Sequence, residues 1–191
     1  MKKFISILAT LCSLQSCSGQ SNEPELQGTA VLPKEYESCC GSEPVETRFG
    51  KNNAYVYVPN AFTPNGDGTN DLFKPFIDDK VLVVRSIDII SAVGDTVLFQ
   101  RRDFDYKNID ANAWTGVRSN GTAYAGLFKY SIAVISKDRE LTIVTGQACA
   151  IQCGPNVSGF KTKEGCYFPN QAKPDGTLDK QLANQETKCF N

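Results

Sequence analysis

Phe128, Tyr130, Ile132 and Val134 alternate with Lys129, Ser131 and Ala133. Side chains on an extended strand point to opposite faces in turn, so this spacing predicts a strand with one buried and one wetter face. Helical spacing would spread the same apolar groups around a cylinder. Further strand candidates are Ala54–Val58, 72–77, Val81–Ser91, 96–101 and 140–151. Turn-forming clusters separate them: Asn65-Gly66-Asp67-Gly68, Val93-Gly94-Asp95, Ser119-Asn120-Gly121 and Lys137-Asp138. About six or seven short strands in roughly 100 residues predict an all-β domain over 53–152, an immunoglobulin-like antiparallel β-sandwich.

Composition narrows the chemistry. The 191 residues contain no histidine and a single methionine, Met1. A Ser-His-Asp triad, a Cys-His dyad and a His-ligated metal are all excluded. A formal net charge of −1 leaves no electrostatic footprint for nucleic acid. The acidic pairs Asp78-Asp79 and Asp103-Asp105 sit beside Lys80 and Arg101-Arg102 in polar stretches, the pattern of solvated turns rather than a catalytic carboxylate pair. No nucleophile or cofactor loop is identifiable, and the chain reads as non-enzymatic.

The amino terminus reads as an address. Lys2 and Lys3 precede a short apolar run from Phe4 to Leu14, shorter than the roughly 20 apolar residues that span a bilayer. The run ends in Leu14-Gln15-Ser16-Cys17, which resembles a bacterial lipobox with Gln15 where a small residue is usual. That resemblance implies that residues 1–16 are a lipoprotein signal peptide and that Cys17 is acylated as the first residue of the mature chain. Outer-membrane lipid is then the first partner. Residues 17–52, with Ser, Glu, Pro and Gly prominent over 18–48, read as a flexible tether. Glu23 and Glu25 favour the cell surface over the periplasmic face.

Val58-Pro59-Asn60-Ala61-Phe62-Thr63-Pro64-Asn65-Gly66-Asp67-Gly68-Thr69-Asn70-Asp71-Leu72-Phe73-Lys74-Pro75 resembles the opening of the gliding-motility-associated C-terminal domain, also known as the type B C-terminal domain of type IX secretion cargo. The strand-turn-strand from Ile87 to Phe99, the run Ala113-Trp114-Thr115-Gly116, the run Ala125-Gly126-Leu127-Phe128-Lys129-Tyr130-Ser131-Ile132 and Gly146 resemble later parts of that domain in the same order. In the family the domain ends a long secreted protein and serves as an export signal. Here about 40 residues follow it, the "W-D-G" aspartate is Thr115, and the lipobox already supplies a route to the outer membrane. The resemblance therefore implies a scaffold or interaction module docking onto other envelope proteins in motility, secretion or uptake. A type IX sorting signal is the alternative, and a carbohydrate-binding module the second.

Within the motif, Asn65, Asp67, Thr69 and Asp71 occupy alternate positions. In a turning loop that spacing can aim successive hard oxygens at one Ca²⁺, as in EF-hand loops. The full EF-hand pattern is absent, with Asn70 at position 6 and Phe76 at position 12. The competing reading is a metal-free loop in which Asn and Asp cap their own backbone. Trp114 is expected in the core against Phe99 and Phe128 rather than on a ligand-stacking surface, and Tyr55, Tyr57, Phe62, Phe73 and Phe76 are expected in the core with it.

With Cys17 assigned to lipid and Cys12 inside the signal, six cysteines remain: Cys39, Cys40, Cys149, Cys153, Cys166 and Cys189. An even set in an exported chain implies disulfides. On one extended strand Cys149 and Cys153 would stand about 13 Å apart, beyond the roughly 7 Å a bridge allows. Cys39 and Cys40 are adjacent and can join only through a strained vicinal bridge. The simplest arrangement links Cys39 and Cys40 to Cys149 and Cys153, and Cys166 to Cys189; a four-thiolate zinc site is the competing reading. Residues 153–191 form a disulfide-stapled C-terminal extension with too few large apolar groups for a core of its own. It is expected to lie on the sandwich or on a partner, with one short helix over 177–186.

Overall fold

The computed structural model describes residues 32–190. Cys17, the signal peptide and tether residues 17–31 lie outside the described residues. Eight strands follow in order: β1 (Val45–Phe49), β2 (Ala54–Val58), β3 (Ala61–Phe62), β4 (Phe76–Ile77), β5 (Val81–Ser91), β6 (Val97–Asp105), β7 (Gly126–Ser136) and β8 (Leu141–Ala150). They form two sheets. One is three-stranded, in the order β1-β2-β4, and the other five-stranded, in the order β3-β8-β7-β5-β6. All pairings are antiparallel except β3 with β8. No helix among the described residues is long and apolar enough to cross a membrane.

The alternation in β7 does what its spacing requires. Phe128, Tyr130, Ile132 and Val134 are buried, while the residues between them are half-exposed. The neighbours in register, Ile87 and Val144 beside Ile132, extend the same apolar face across the sheet. Ala54, Val56 and Val58 supply the opposing face from β2. Aromatic rings fill one end of the core. Phe73 meets Phe128 edge to face at 4.8 Å, and Phe62 lies 5.7 Å from Phe73. Such edge contacts add about 0.5–1.5 kcal/mol each beyond the burial itself.

β2 is buried along its whole length, which two layers do not explain. Its other face carries Tyr55 and Tyr57, and the C-terminal extension covers them. The Tyr57 hydroxyl donates to the Phe168 carbonyl at 3.2 Å, and the Leu178 N–H reaches Tyr55 Oη at 3.5 Å. The extension is thus a third layer over the small sheet. Its apolar groups Val157, Phe160, Phe168 and Phe190 join Tyr36, Ala61, Cys149 and Ile151 in a second hydrophobic cluster.

Four expectations change. The tether ends earlier than residue 52, because β1 pairs along β2 from Val45↔Val58 to Phe49↔Ala54, and Tyr36 is buried. The strand expected at 72–77 divides into an isolated bridge, Phe73↔Trp114, and the two-residue β4. Pro75, with no N–H, cannot continue a ladder. No helix forms over 177–186; Leu178 bridges Ala172 instead, and Leu182 stays exposed. A helix of that length is marginal by itself, and the segment instead turns at Asp179–Leu182, where the Leu182 N–H donates to the Asp179 carbonyl. The cysteine pairing also differs. Cys39 joins Cys149 as one of the expected kinds of link, but Cys40 joins Cys166 and Cys153 joins Cys189.

Candidate functional site

The residues that most resemble a motif, 58–75, form the seam between the sandwich and the extension. Asn60 is its hub. Its Nδ2 donates to the Ser42 carbonyl at 2.8 Å and to the Gly165 carbonyl at 2.7 Å. Its Oδ1 accepts the Tyr167 N–H, and its carbonyl accepts the Cys149 N–H. One buried residue therefore ties the amino-terminal segment and the extension through its side chain, and β8 through its backbone. No carboxylate would do this, because two of the three side-chain contacts need a donor.

Thr63 and Asn70 form a second buried node. The Thr63 hydroxyl donates to Glu186 Oε2 at 2.5 Å, and Asn70 Nδ2 reaches the same oxygen at 3.3 Å. Asn70 Nδ2 also donates to the Asn184 carbonyl, and its Oδ1 accepts the Asn170 N–H. Glu186 is only 9% exposed, and its Oε1 has no partner among the described residues. Asn70 adopts a φ of 55°, a left-handed backbone that Asn tolerates better than most residues.

The exposed loop that follows is closed by its own backbone. Asp71 Oδ1 accepts the N–H groups of Asn65 (2.9 Å) and Gly66 (2.6 Å), and Oδ2 accepts that of Gly68 (2.6 Å). Asn65 Oδ1 takes the Asp67 N–H, and Asp67 Oδ1 takes that of Thr69. Side-chain oxygens of Asn65, Asp67 and Asp71, three of the four calcium candidates, thus accept backbone N–H groups. No group of three or more Cys, Asp or Glu among the described residues is disposed to hold a metal ion. These contacts are those of a self-capped Asx loop, and calcium at Asn65, Asp67, Thr69 and Asp71 stays a proposal.

Trp114 backs the loop. It is 1% exposed, with its Nε1 donating to the Val117 carbonyl. Its ring meets Phe128 edge to face at 5.0 Å, Phe62 at 5.5 Å and Tyr124 at 5.9 Å. Phe99, the other expected neighbour, lies at the core margin beneath the Arg101 guanidinium. Gly116, two residues on, has φ +73°, and a Cβ there would stand 2.6 Å from Pro64 Cγ. The Trp114-Thr115-Gly116 run and the Thr63-Pro64 turn are therefore in direct contact, and glycine is what permits it.

The acidic pairs make local contacts. Asp78 caps the Lys80 N–H, Asp105 caps that of Lys107, and Asp103 pairs with Arg85 at 2.5 Å. All six cysteines outside residues 1–31 are consumed in bridges, which leaves no thiolate for zinc. Sequence reasoning missed Asn60, Thr63, Asn70 and Glu186. Only a buried polar residue's partners reveal its role, and these partners lie 18 to 123 positions away.

Fold and site together define a two-sheet all-β protein stapled by three disulfides, with its extension folded back over the small sheet. No family model matches the chain, and no curated protein matches it.

Proposed function

We propose that this protein is a non-enzymatic, lipid-anchored outer-membrane subunit, held by acylated Cys17, whose immunoglobulin-like β-body serves as a docking module for other envelope proteins at the cell surface. The observation that carries this reading is the covalent clamp. Three bridges join the segment before β1, the end of β8 and the extension into one body, a construction suited to an oxidising compartment and to presenting a fixed surface. The resemblance to the gliding-motility-associated C-terminal domain gains support from placement. Its separated pieces, Phe62 to Phe73, Trp114 to Gly116 and Phe128, meet in one aromatic cluster.

Mass measurement of the mature amino terminus tests the anchor: the expected result is a diacylated or triacylated Cys17, and an unmodified residue 17 or an uncleaved leader overturns it. Co-purification from membranes in mild detergent tests the docking role, where recovery of a lone monomer overturns it. Fusing residues 53–152 to a reporter separates the sorting alternative, since only a sorting signal redirects the reporter.

A further inference from the structure

We infer that the end of the sandwich carrying the β5–β6 turn is a lipid-headgroup docking surface, laid against the bilayer that holds Cys17; this rests on the lipid-anchor reading above. The described chain begins at Leu32, 15 positions after Cys17, and 15 residues reach at most about 50 Å. Leu32 lies against the second cluster, and the next residues run beside the β5–β6 turn: Lys34 lines the same hollow as Val93, Arg118 and Tyr124. Val97, Val117, Arg101 and Arg118 line an adjoining hollow. Arg118 belongs to both, so the two form one surface.

That surface pairs two features of an interfacial site. Val93 is 88% exposed at the tip of the turn, Val97 52% and Val117 41%. Lys34, Arg101 and Arg118 form no ion pair among the described residues, whereas Lys129 nearby is already paired with Asp95 at 3.0 Å. The Arg118 guanidinium lies 4.6 Å over the Tyr124 ring and that of Arg101 4.6 Å over Phe99, so both charges sit on aromatic supports rather than on carboxylates. Exposed apolar tips enter the headgroup boundary, and unpaired cations meet anionic phosphates there. Glu35 is the one unpaired acid lining the first hollow, and the three cations outnumber it.

The test uses residues 17–191 with Cys17→Ser, exported behind a cleavable signal, so that acyl chains cannot mask weak binding. The protein is sedimented with phosphatidylcholine vesicles and with vesicles containing phosphatidylglycerol. The expected result is binding to the anionic vesicles, weakened about fivefold by Arg118→Glu and abolished by the Val93→Asp/Val97→Asp pair. These three side chains are exposed or half-exposed, and an unchanged thermal midpoint confirms that the variants fold. A protein that stays in the supernatant with both vesicles overturns the inference. So does capture of an envelope protein in a Val93-dependent manner with no vesicle binding, which would assign the surface to a protein partner. The anchor itself is judged separately, by the mass of the wild-type amino terminus.

Discussion

The Thr63 hydroxyl and Glu186 Oε2 lie 2.5 Å apart across 123 residues of sequence, both buried, and Asn70 shares the same acceptor. Truncation by Glu186→Ala leaves two buried donors without their carboxylate. A loss of about 2–3 kcal/mol is expected in urea unfolding, together with faster proteolysis within 170–190. Glu186→Gln keeps an acceptor oxygen and should cost less. An unchanged midpoint in the alanine variant would show the contact to be idle.

Non-reducing peptide mapping should recover three linked pairs, Cys39–Cys149, Cys40–Cys166 and Cys153–Cys189. The last closes a loop of sequence separation 36, and replacing both of its cysteines by serine is expected to cost about 2–4 kcal/mol. Recovery of a Cys166–Cys189 peptide would refute this arrangement.

Asp71 accepts three backbone N–H groups from the loop it closes. Asp71→Ala should therefore destabilise by about 1–2 kcal/mol, while Ca²⁺ and chelator leave the wild-type thermal midpoint unchanged. A rise in midpoint with Ca²⁺, lost in Asp71→Ala, would establish the calcium reading.

Acid should weaken the fold through Asp138. The Ser136 hydroxyl holds its carboxyl below the ordinary range against the opposing effect of desolvation, and the Asn52 and Lys51 N–H groups add smaller contributions in the same direction as Ser136. The stability it contributes is present above the unfolded value of about 3.9 and is lost as pH falls through the lower folded value. Asp175, held down by the Thr177 hydroxyl and N–H, acts in the same direction. At the other limit, burial raises the Tyr57 and Tyr130 phenols. Their contribution is present below about pH 10 and lost above it as the unfolded phenols ionise. Unfolding midpoints followed from pH 2 to 6 check the acid limb, where Asp138→Asn should flatten the decline; an identical slope would exclude Asp138 as a contributor.

The long strands were legible because their cause is local. Val81–Ser91 and Ala54–Val58 stand where the alternation and turns put them. Val45, Thr47 and Phe49 alternate in the same way, yet Glu46 and Arg48 on the other face made that stretch resemble a polar tether. The motif around residues 58–75 was visible as residues, but its mechanical role was not. A reader of the chain sees Asn60 and Asn70 as turn formers, whereas their amides are spent on Gly165, Ser42 and Asn184.

Sequence alone determined the β class, the long strands and their buried faces, and the exclusion of histidine chemistry, since periodicity and composition act through neighbours within a few residues. Tertiary structure alone decided which cysteine meets which, why β2 is buried on both faces, and where Glu186 rests. Those depend on how the extension folds back, over the small sheet at Tyr55 and Tyr57 and, through Phe160, Phe168 and Phe190, against Tyr36 and Ile151, residues whose spacing along the chain carries no trace of their contact.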